Sequence, residues 1–338
     1  MTLVLSVTGP EFVVQLSDRL LTPLSRANGR ATPDTNADEV NKAGVLRCGD
    51  ARLGYSYCGL ARAGEFDTRR WLIKALLECA PPDCQIEHLV ERLASMATKT
   101  FAENSDILSR PRADRRLSIM LAGYWNTTAG VLPAGWILTN FQRNFDLGSG
   151  APDLPESEPE FRFWRWHQTP GSSSPFYHIE RLGAWNGVDA VQAARLEDLL
   201  RDQKPVDAVI GRALKVMHTA SDAVTTGSVG KQVSVVVIPK DWEVAIRFAY
   251  ETNVPTDDLP VPDIVVAEGP RRCRWMTLDI THTATPDSPS PASVPRVHRK
   301  APCPCGARQR YETCHRRFRR DIPRSWRVTT WVADKGET

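Results

Sequence analysis

The second residue of the chain, Thr2, can do chemistry if its amino group is free. A chain's α-amino group has a reference pKa of about 7.7–8.0, so near neutral pH it can accept a proton from the hydroxyl of its own residue. A threonine paired with its own amine is an established type of activated nucleophile. Because threonine is small, we expect a methionine aminopeptidase to remove Met1. The position therefore predicts an N-terminal nucleophile.

An amine that acts as a base needs an ammonium nearby to lower its pKa, and a carboxylate to orient that ammonium. The apolar runs at 3–8 and 12–17 flank Gly9-Pro10-Glu11 and predict a hairpin. Its return brings Asp18 towards Thr2, so Asp18 is the candidate carboxylate. As an alternative, Asp18 is simply a turn residue.

Two further candidates follow from the next predicted hairpin. Lys42 begins the strand "KAGVLRC" and is the candidate ammonium. Gly59 ends the strand after it, and a glycine N–H can approach a substrate closely because the residue has no side chain. The structural alternatives are a solvated charge at Lys42 and strand punctuation at Gly59.

A second group of residues near the C-terminus has the spacing of metal ligands. The segment "CPCGARQRYETCH" gives C-x-C, eight residues, then C-H, formed by Cys303, Cys305, Cys314 and His315. Four such ligands suit a tetrahedral structural zinc ion. We therefore expect one Zn²⁺ per chain.

Composition and charge divide the chain of 338 residues into a body and a tail. Between Arg296 and Arg327 lie eleven Lys/Arg and two acidic residues, whereas the rest of the chain is acidic overall. The Pro/Ser-rich stretch at 283–295 is typical of a flexible linker. We predict a body at 1–280, a linker at 281–300, a zinc module at 301–320 and a tail at 321–338.

The apolar run at the N-terminus lacks the basic flank of a signal peptide, and no run approaches the ~20 apolar residues of a membrane helix. We therefore expect a cytoplasmic protein that does not contact a membrane.

The body alternates predicted strands with predicted pairs of helices, which is typical of two sheets between two helical layers. We predict an α+β fold, a four-layer αββα sandwich of two antiparallel sheets, with a small C-terminal zinc knuckle. Beyond the first hairpin, the predicted strands are 43–48, 51–58, 117–125, 135–142, 160–167, 231–239 and 242–250, and the predicted helices are 68–80, 85–101, 188–202 and 206–222.

The order of these features resembles the N-terminal-nucleophile hydrolases, more narrowly the proteasome β-subunit and the bacterial proteasome-like peptidases. Thr2 matches the nucleophile of that family, and Asp18, sixteen residues later, matches its aspartate. Lys42 matches its lysine, and Gly59 in "YCGLA" matches its oxyanion glycine.

Two more stretches carry the same resemblance. "SDAVTTGSVG" is similar to the family's Asp-x-x-Ser-Gly-Gly turn, with Asp222 at the aspartate and Thr225 at the serine. Tyr57 falls where a side chain lines the specificity pocket. "RLGAWNG" holds no serine where the family has one before its third helix. The resemblance implies hydrolysis of a peptide or amide bond through an acyl-enzyme, in a subunit that forms homo-oligomers.

The four-ligand segment resembles the SEC-C zinc motif, which ends the bacterial preprotein translocase motor and is appended to many other bacterial proteins. That resemblance implies a protein partner for the module. Two alternatives stay open. One is a catalytically inactive member that uses the fold as a binding scaffold. The other is a nucleic-acid-associated protein that contacts phosphates through the basic segment "RRFRR".

Overall fold

The computed structural model describes residues 3–20, 24–27, 30–33, 41–79, 85–141, 156–183, 185, 188, 190–224, 230–251, 263–267 and 278–283. The strands in this part of the chain are β1 Leu3–Thr8, β2 Phe12–Asp18, β3 Leu24–Ala27, β4 Arg30–Pro33, β5 Ala43–Cys48, β6 Ala51–Gly59, β7 Arg62–Ala63, β8 Phe66–Asp67, β9 Leu117–Thr127, β10 Gly130–Phe141, β11 Ser157–His167, β12 His178–Gly183, β13 Val233–Pro239, β14 Ile246–Glu251, β15 Asp263–Ala267 and β16 Leu278–Thr283. The α-helices are α1 Thr68–Cys79, α2 Ile86–Glu103, α3 Ser105–Leu108, α4 Ala190–Arg201 and α5 Val206–Ala223.

Two six-stranded sheets organise the body. The first sheet has the strand order β12-β1-β2-β13-β14-β16, and the second has the order β11-β10-β9-β6-β5-β15. The sheets pack face to face around an apolar cluster that includes Val13 and Val236 of the first sheet and Val45 and Tyr124 of the second. This contact buries one face of each sheet.

Each outer sheet face is covered by a pair of helices that follow each other in the chain. Leu5, Leu16 and Val235 of the first sheet share a core with residues of α4 and α5. In the second sheet, Leu53 and Leu121 share a core with residues of α1 and α2. The order of layers is therefore helices, sheet, sheet, helices, and the predicted mixed α+β fold is confirmed.

The prediction of purely antiparallel sheets is wrong at one edge of each sheet. β16 pairs with β14 in parallel, and β15 pairs with β5 in parallel. Parallel neighbours need a long crossover connection. The chain supplies one, because β15 joins the second sheet before β16 returns to the first.

The other predicted strands and helices are confirmed within a few residues at their ends, including both hairpins. The short helix α3 and the strands β3, β4, β7, β8, β12, β15 and β16 were not predicted. The last of these strands, β16 Leu278–Thr283, extends past position 280, which was the predicted end of the body. The predicted linker beyond it, the zinc module and the tail lie outside the described residues.

No described helix combines the length and the apolar character needed to cross a membrane. Among the described residues, Cys48, Cys58 and Cys79 are buried.

Candidate functional site

The carboxylate of Asp18 lies beside the start of β1. The β1–β2 register pairs Val4 with Ser17, which puts Asp18, the last residue of β2, next to Leu3. The backbone N–H of Leu3 donates to Asp18 Oδ1 at 2.8 Å, and the N–H of Gly230 donates to Oδ2 at 3.3 Å. The hairpin therefore fixes a buried carboxylate one residue from Thr2, which itself lies outside the described residues.

The ammonium of Lys42 faces the same carboxylate. Lys42 Nζ lies 3.3 Å from Asp18 Oδ2 and 3.4 Å from Oδ1, and it donates to the carbonyl of Leu20 at 2.5 Å. Burial lowers the pKa of Lys42, and the charge and hydrogen bond of Asp18 act in the opposite direction. The predicted lysine–aspartate pair is thus brought together across the two sheets.

Asn41 and Ser234 hold the backbone that precedes β5, and sequence reasoning missed both. Asn41 Oδ1 accepts from the N–H of Ala43 at 3.2 Å and faces Ser234 Oγ at 3.3 Å. Both side chains are buried. A polar residue directly before the candidate lysine was the only local signal for Asn41. Ser234 in β13 is distant from Asn41 in sequence, and no local signal in the sequence predicted it.

Gly59 has a structural reason to be glycine. Its φ is +103°, and a Cβ there would lie 2.1 Å from the carbonyl oxygen of Arg116. The N–H of the next residue, Leu60, donates to that same oxygen at 2.6 Å. Gly59 therefore lies against the backbone that leads into β9, where a side chain would not fit. A role of its N–H towards a substrate stays a prediction.

Alternation along β6 sends neighbouring side chains to opposite faces. Cys58 packs between the sheets with Val4, whereas Tyr57 packs in the core shared with the helices α1 and α2. Tyr57 is 2% exposed, and burial raises its pKa well above the usual range. This placement gives Tyr57 a role in core packing, and its predicted role in a substrate pocket stays a prediction.

The Cys58 thiol is close enough to the candidate residues to sense their charges. Burial raises its pKa to about 12, while Lys42 lowers it, Asp18 raises it and Arg116 lowers it. The thiol is therefore protonated at neutral pH and a poor nucleophile.

Asp222 lies on the surface near the end of α5. Its carboxylate pairs with Lys231 Nζ at 2.7 Å, and the hydrogen bond from Lys231 lowers its pKa. Lys231 follows Gly230, whose N–H binds Asp18. Asp222 and Asp18 therefore bind two residues that are adjacent in the chain, Lys231 and Gly230. Thr225 lies outside the described residues.

Arg19 is a second buried cation next to the site that was not predicted. It is 1% exposed, its guanidinium lies 4.9 Å from the ring centroid of Tyr250, and Nη1 donates to Gln232 Oε1 at 3.3 Å. These contacts connect the end of β2 to β14 and to the residue before β13.

Within the described ranges, no group of His, Cys, Asp or Glu side chains could hold a metal ion. The predicted zinc ligands Cys303, Cys305, Cys314 and His315 all lie outside those ranges.

The fold and the site define a layered α+β sandwich with a buried lysine–aspartate pair beside the start of its first strand. Neither a family model nor a curated protein matches the chain. Among solved structures, the chain is similar to the Anbu (Gly-1) mutant from Hyphomicrobium sp. strain MC1. The identity is 10%, the TM-score is 0.46, and the match covers 73% of this chain and 87% of that chain. This degree of similarity assigns no activity.

Proposed function

We propose that the chain is a proteasome-like N-terminal threonine hydrolase that cleaves a peptide or amide bond. The observation that carries the proposal is the position of Asp18. Its carboxylate accepts the N–H of Leu3, the residue that follows Thr2, and at the same time binds the Lys42 ammonium. A charged pair held at the first residues of β1 is the environment that a catalytic α-amine needs.

In the proposed reaction, Thr2 Oγ attacks the scissile carbonyl while the α-amine of Thr2 takes the hydroxyl proton. The tetrahedral intermediate then expels the amine product, which receives that proton, and an ester to Thr2 remains. Water, deprotonated by the same α-amine, attacks the ester carbonyl. The bond to Thr2 Oγ then breaks, Oγ takes the proton back from the amine, and the acid product is released.

The charged pair would set the proton affinity of that amine. The Lys42 ammonium disfavours a second positive charge nearby and so lowers the pKa of the amine. Asp18 keeps the ammonium in place. The Gly59 N–H would donate to the oxyanion, a contribution whose loss typically costs about 10²–10³-fold in rate. Asp222 and Thr225 would support the loop that returns to Asp18.

The tail adds a second proposed element. Cys303, Cys305, Cys314 and His315 would bind one structural Zn²⁺, and the resulting module would recruit a protein partner. We propose further that the bodies assemble into a cytoplasmic homo-oligomer, as the resemblance to proteasome-like subunits implies.

The deciding experiment combines intact mass with active-site labelling. We expect purified protein to lack Met1 and to be acylated on Thr2 by a threonine-directed epoxyketone or β-lactone probe. Thr2→Ala should abolish labelling, because it removes Oγ, and Thr2→Ser should retain part of it. Thr8→Ala, in the same strand, is the matched control and should label like the unaltered protein.

Retention of Met1 would exclude the N-terminal mechanism. Protein that lacks Met1 yet reacts with no such probe, while its tail still captures a protein partner, would favour the scaffold alternative. Binding to arbitrary DNA with a steep salt dependence would favour the nucleic-acid alternative.

A further inference from the structure

Polar side chains form a row across one face of the first sheet. The pairing registers place Glu180 of β12 opposite Ser6 of β1, and Ser6 opposite Gln15 of β2. Two residues further along β2, Ser17 lies opposite Ser234 of β13. Residues that lie opposite each other in neighbouring strands share a face of the sheet, as do residues two apart in one strand. These polar residues are therefore contiguous on one face.

This face is turned towards the second sheet. Because side chains alternate between the two faces along a strand, Ser6 lies on the same side as Val4. Gln15 and Ser17 likewise lie on the same side as Val13. Val4 and Val13 both pack in apolar clusters that contain residues of the second sheet. The polar side chains are therefore enclosed between the two sheets and do not face the helices.

The second sheet makes room for these side chains. Gln15 Nε2 donates to the carbonyl of Met120 in β9 at 3.3 Å, which anchors the amide between the sheets. A Cβ at Gly54 of β6 would lie 2.4 Å from Gln15 Oε1, so glycine at this position leaves space for the amide. Ser56, on the same face of β6 as Gly54, lies opposite Met120. Both sheets thus contribute polar groups at the same level of the sandwich.

The oxygens at this level are buried without a hydrogen-bond partner among the residues that the structure describes. The inter-sheet polar row consists of five residues that are all 0% exposed, Ser6, Thr8, Gln15, Ser17 and Ser56. In each of them one side-chain oxygen has no partner within the described part of the chain. Buried polar groups are nearly always paired with protein or with ordered water, because an unpaired group loses its hydrogen bonds to solvent and gains none.

The row reaches solvent at one end and the surroundings of the candidate site at the other. At the sheet edge, Glu180 is 16% exposed, and its Oε2 lies 3.3 Å from His178 Nε2. At the inner end, Ser234 Oγ donates to Asn41 Oδ1 at 3.3 Å, and Asn41 directly precedes Lys42. The polar groups therefore continue from the edge of the sandwich to the backbone that carries the candidate lysine.

Water suits these groups better than a metal ion. Hydroxyl groups donate and accept hydrogen bonds, whereas the oxygen of an amide only accepts, and one water molecule can serve both kinds of group. Buried waters typically make about three hydrogen bonds to polar groups that otherwise have no partner. The groups are also spread along neighbouring strands, and are not gathered around one point as the oxygen ligands of a cation are.

We propose that the inter-sheet polar row is an internal water-binding site. In this site, ordered waters bridge side chains of the two sheets and form a hydrogen-bonded file from Glu180 to the pair formed by Ser234 and Asn41. Such waters link groups that lie too far apart to bond directly. The site joins the two sheets beside Asp18, the residue that follows Ser17. The inference does not depend on the proposed hydrolase function, because it follows from the buried polar atoms alone.

The first test removes single hydroxyls and measures the sign of the change in thermal stability. Thr8→Val keeps the shape of the side chain, and Ser17→Ala removes little more than the oxygen. If each hydroxyl binds a water, both variants lose a hydrogen bond, and we expect Tm to fall by about 2–4 °C. The matched control is Thr139→Val, which removes the hydrogen bond of 2.5 Å to Ser118 Oγ and should give a fall of similar size. A Tm that rises or stays the same in either test variant would mean that the hydroxyl has no ligand, and would overturn the proposal.

A high-resolution crystal structure of the full-length protein tests the identity of the ligand. We expect electron density for water within hydrogen-bond distance of Ser6 Oγ and of the Gln15 amide. Ser17→Ala should lose the water next to that position. Electron density that holds no water between the sheets would overturn the proposal. Crystals in which Tl⁺ replaces Na⁺ distinguish a cation, because an anomalous peak at the site would identify one and would also overturn the proposal.

Discussion

Lys42 and Asp18 form an ion pair that is shielded almost completely from solvent. Their charged groups are 3.3 Å apart, and the side chains are 1% and 0% exposed. Moving two charges out of water is costly, and their attraction offsets that cost only when further hydrogen bonds satisfy them. Leu3, Leu20 and Gly230 supply those bonds.

Removing one member of this pair should destabilise the fold strongly. Lys42→Met leaves the Asp18 charge buried without its cation, and we expect a loss of about 3–5 kcal/mol in the free energy of unfolding. Lys74→Met, which breaks the exposed pair with Glu78, is the control and should change it by less than about 1 kcal/mol. Urea denaturation followed by circular dichroism measures both. Equal losses of unfolding free energy in the two variants would show that burial does not make the Lys42–Asp18 pair more important than an exposed ion pair.

The same lysine should matter for reactivity beyond its effect on stability. At a temperature where Lys42→Met stays folded, we expect the rate of Thr2 labelling to fall by about 10²-fold, the usual scale for a positioned acid–base group. The rate should recover partly at higher pH, because the amine then loses its proton without help from Lys42. An unchanged rate in folded protein would show that Lys42 only stabilises the fold.

Gly59→Ala should cost more stability than the same change at another glycine with positive φ. Gly130 has φ +111° and no atom within 4 Å of the place that a Cβ would occupy, so Gly130→Ala tests backbone strain alone, about 1–2 kcal/mol. At Gly59 the clash with the Arg116 carbonyl adds to that strain. Thermal unfolding of the two variants provides the comparison. A smaller loss of stability in Gly59→Ala than in Gly130→Ala would mean that the backbone at the end of β6 shifts readily to make room for a Cβ.

Cys58 should be unreactive in the folded protein. Burial raises its pKa to about 12, so at pH ~8 iodoacetamide should modify it only after unfolding. The raised pKa also means that the unfolded state loses this proton first. The contribution of Cys58 to stability should therefore be present below pH ~8.5 and fall as pH rises towards the folded pKa. Mass spectrometry after labelling checks the first expectation, and rapid modification of native Cys58 would refute it.

Zinc removal should affect the tail and spare the body. We expect one Zn²⁺ per chain, bound more weakly as pH falls because the cysteines bind as thiolates. Chelation should leave the far-ultraviolet circular dichroism of the sheets and the main unfolding transition unchanged. Cys303→Ser should lose the metal, and Cys79→Ser is the control. If the chelator unfolded the whole protein in one transition, the division into a body and a zinc module would be wrong.

Local pattern determined much of this fold. Two apolar runs around Gly9-Pro10-Glu11 predicted the first hairpin, and a hairpin's register is fixed by its turn, so Asp18 was placed beside the first residues of β1 from sequence alone. The apolar period of the helices likewise predicted α1, α2, α4 and α5, since one face of each is buried against a sheet.

Tertiary structure decided what distant segments contribute. Asn41 accepts a hydrogen bond from Ser234, and Gly59 lies against the carbonyl of Arg116. The strands β15 and β16 join the edges of different sheets. Tyr57 faces the helices and Cys58 faces the other sheet, which only the pairing of whole sheets settles. Short-range periodicity specifies which face of an element is apolar. The partner of that face depends on chain crossings and on packing between residues far apart in sequence, which no local pattern encodes.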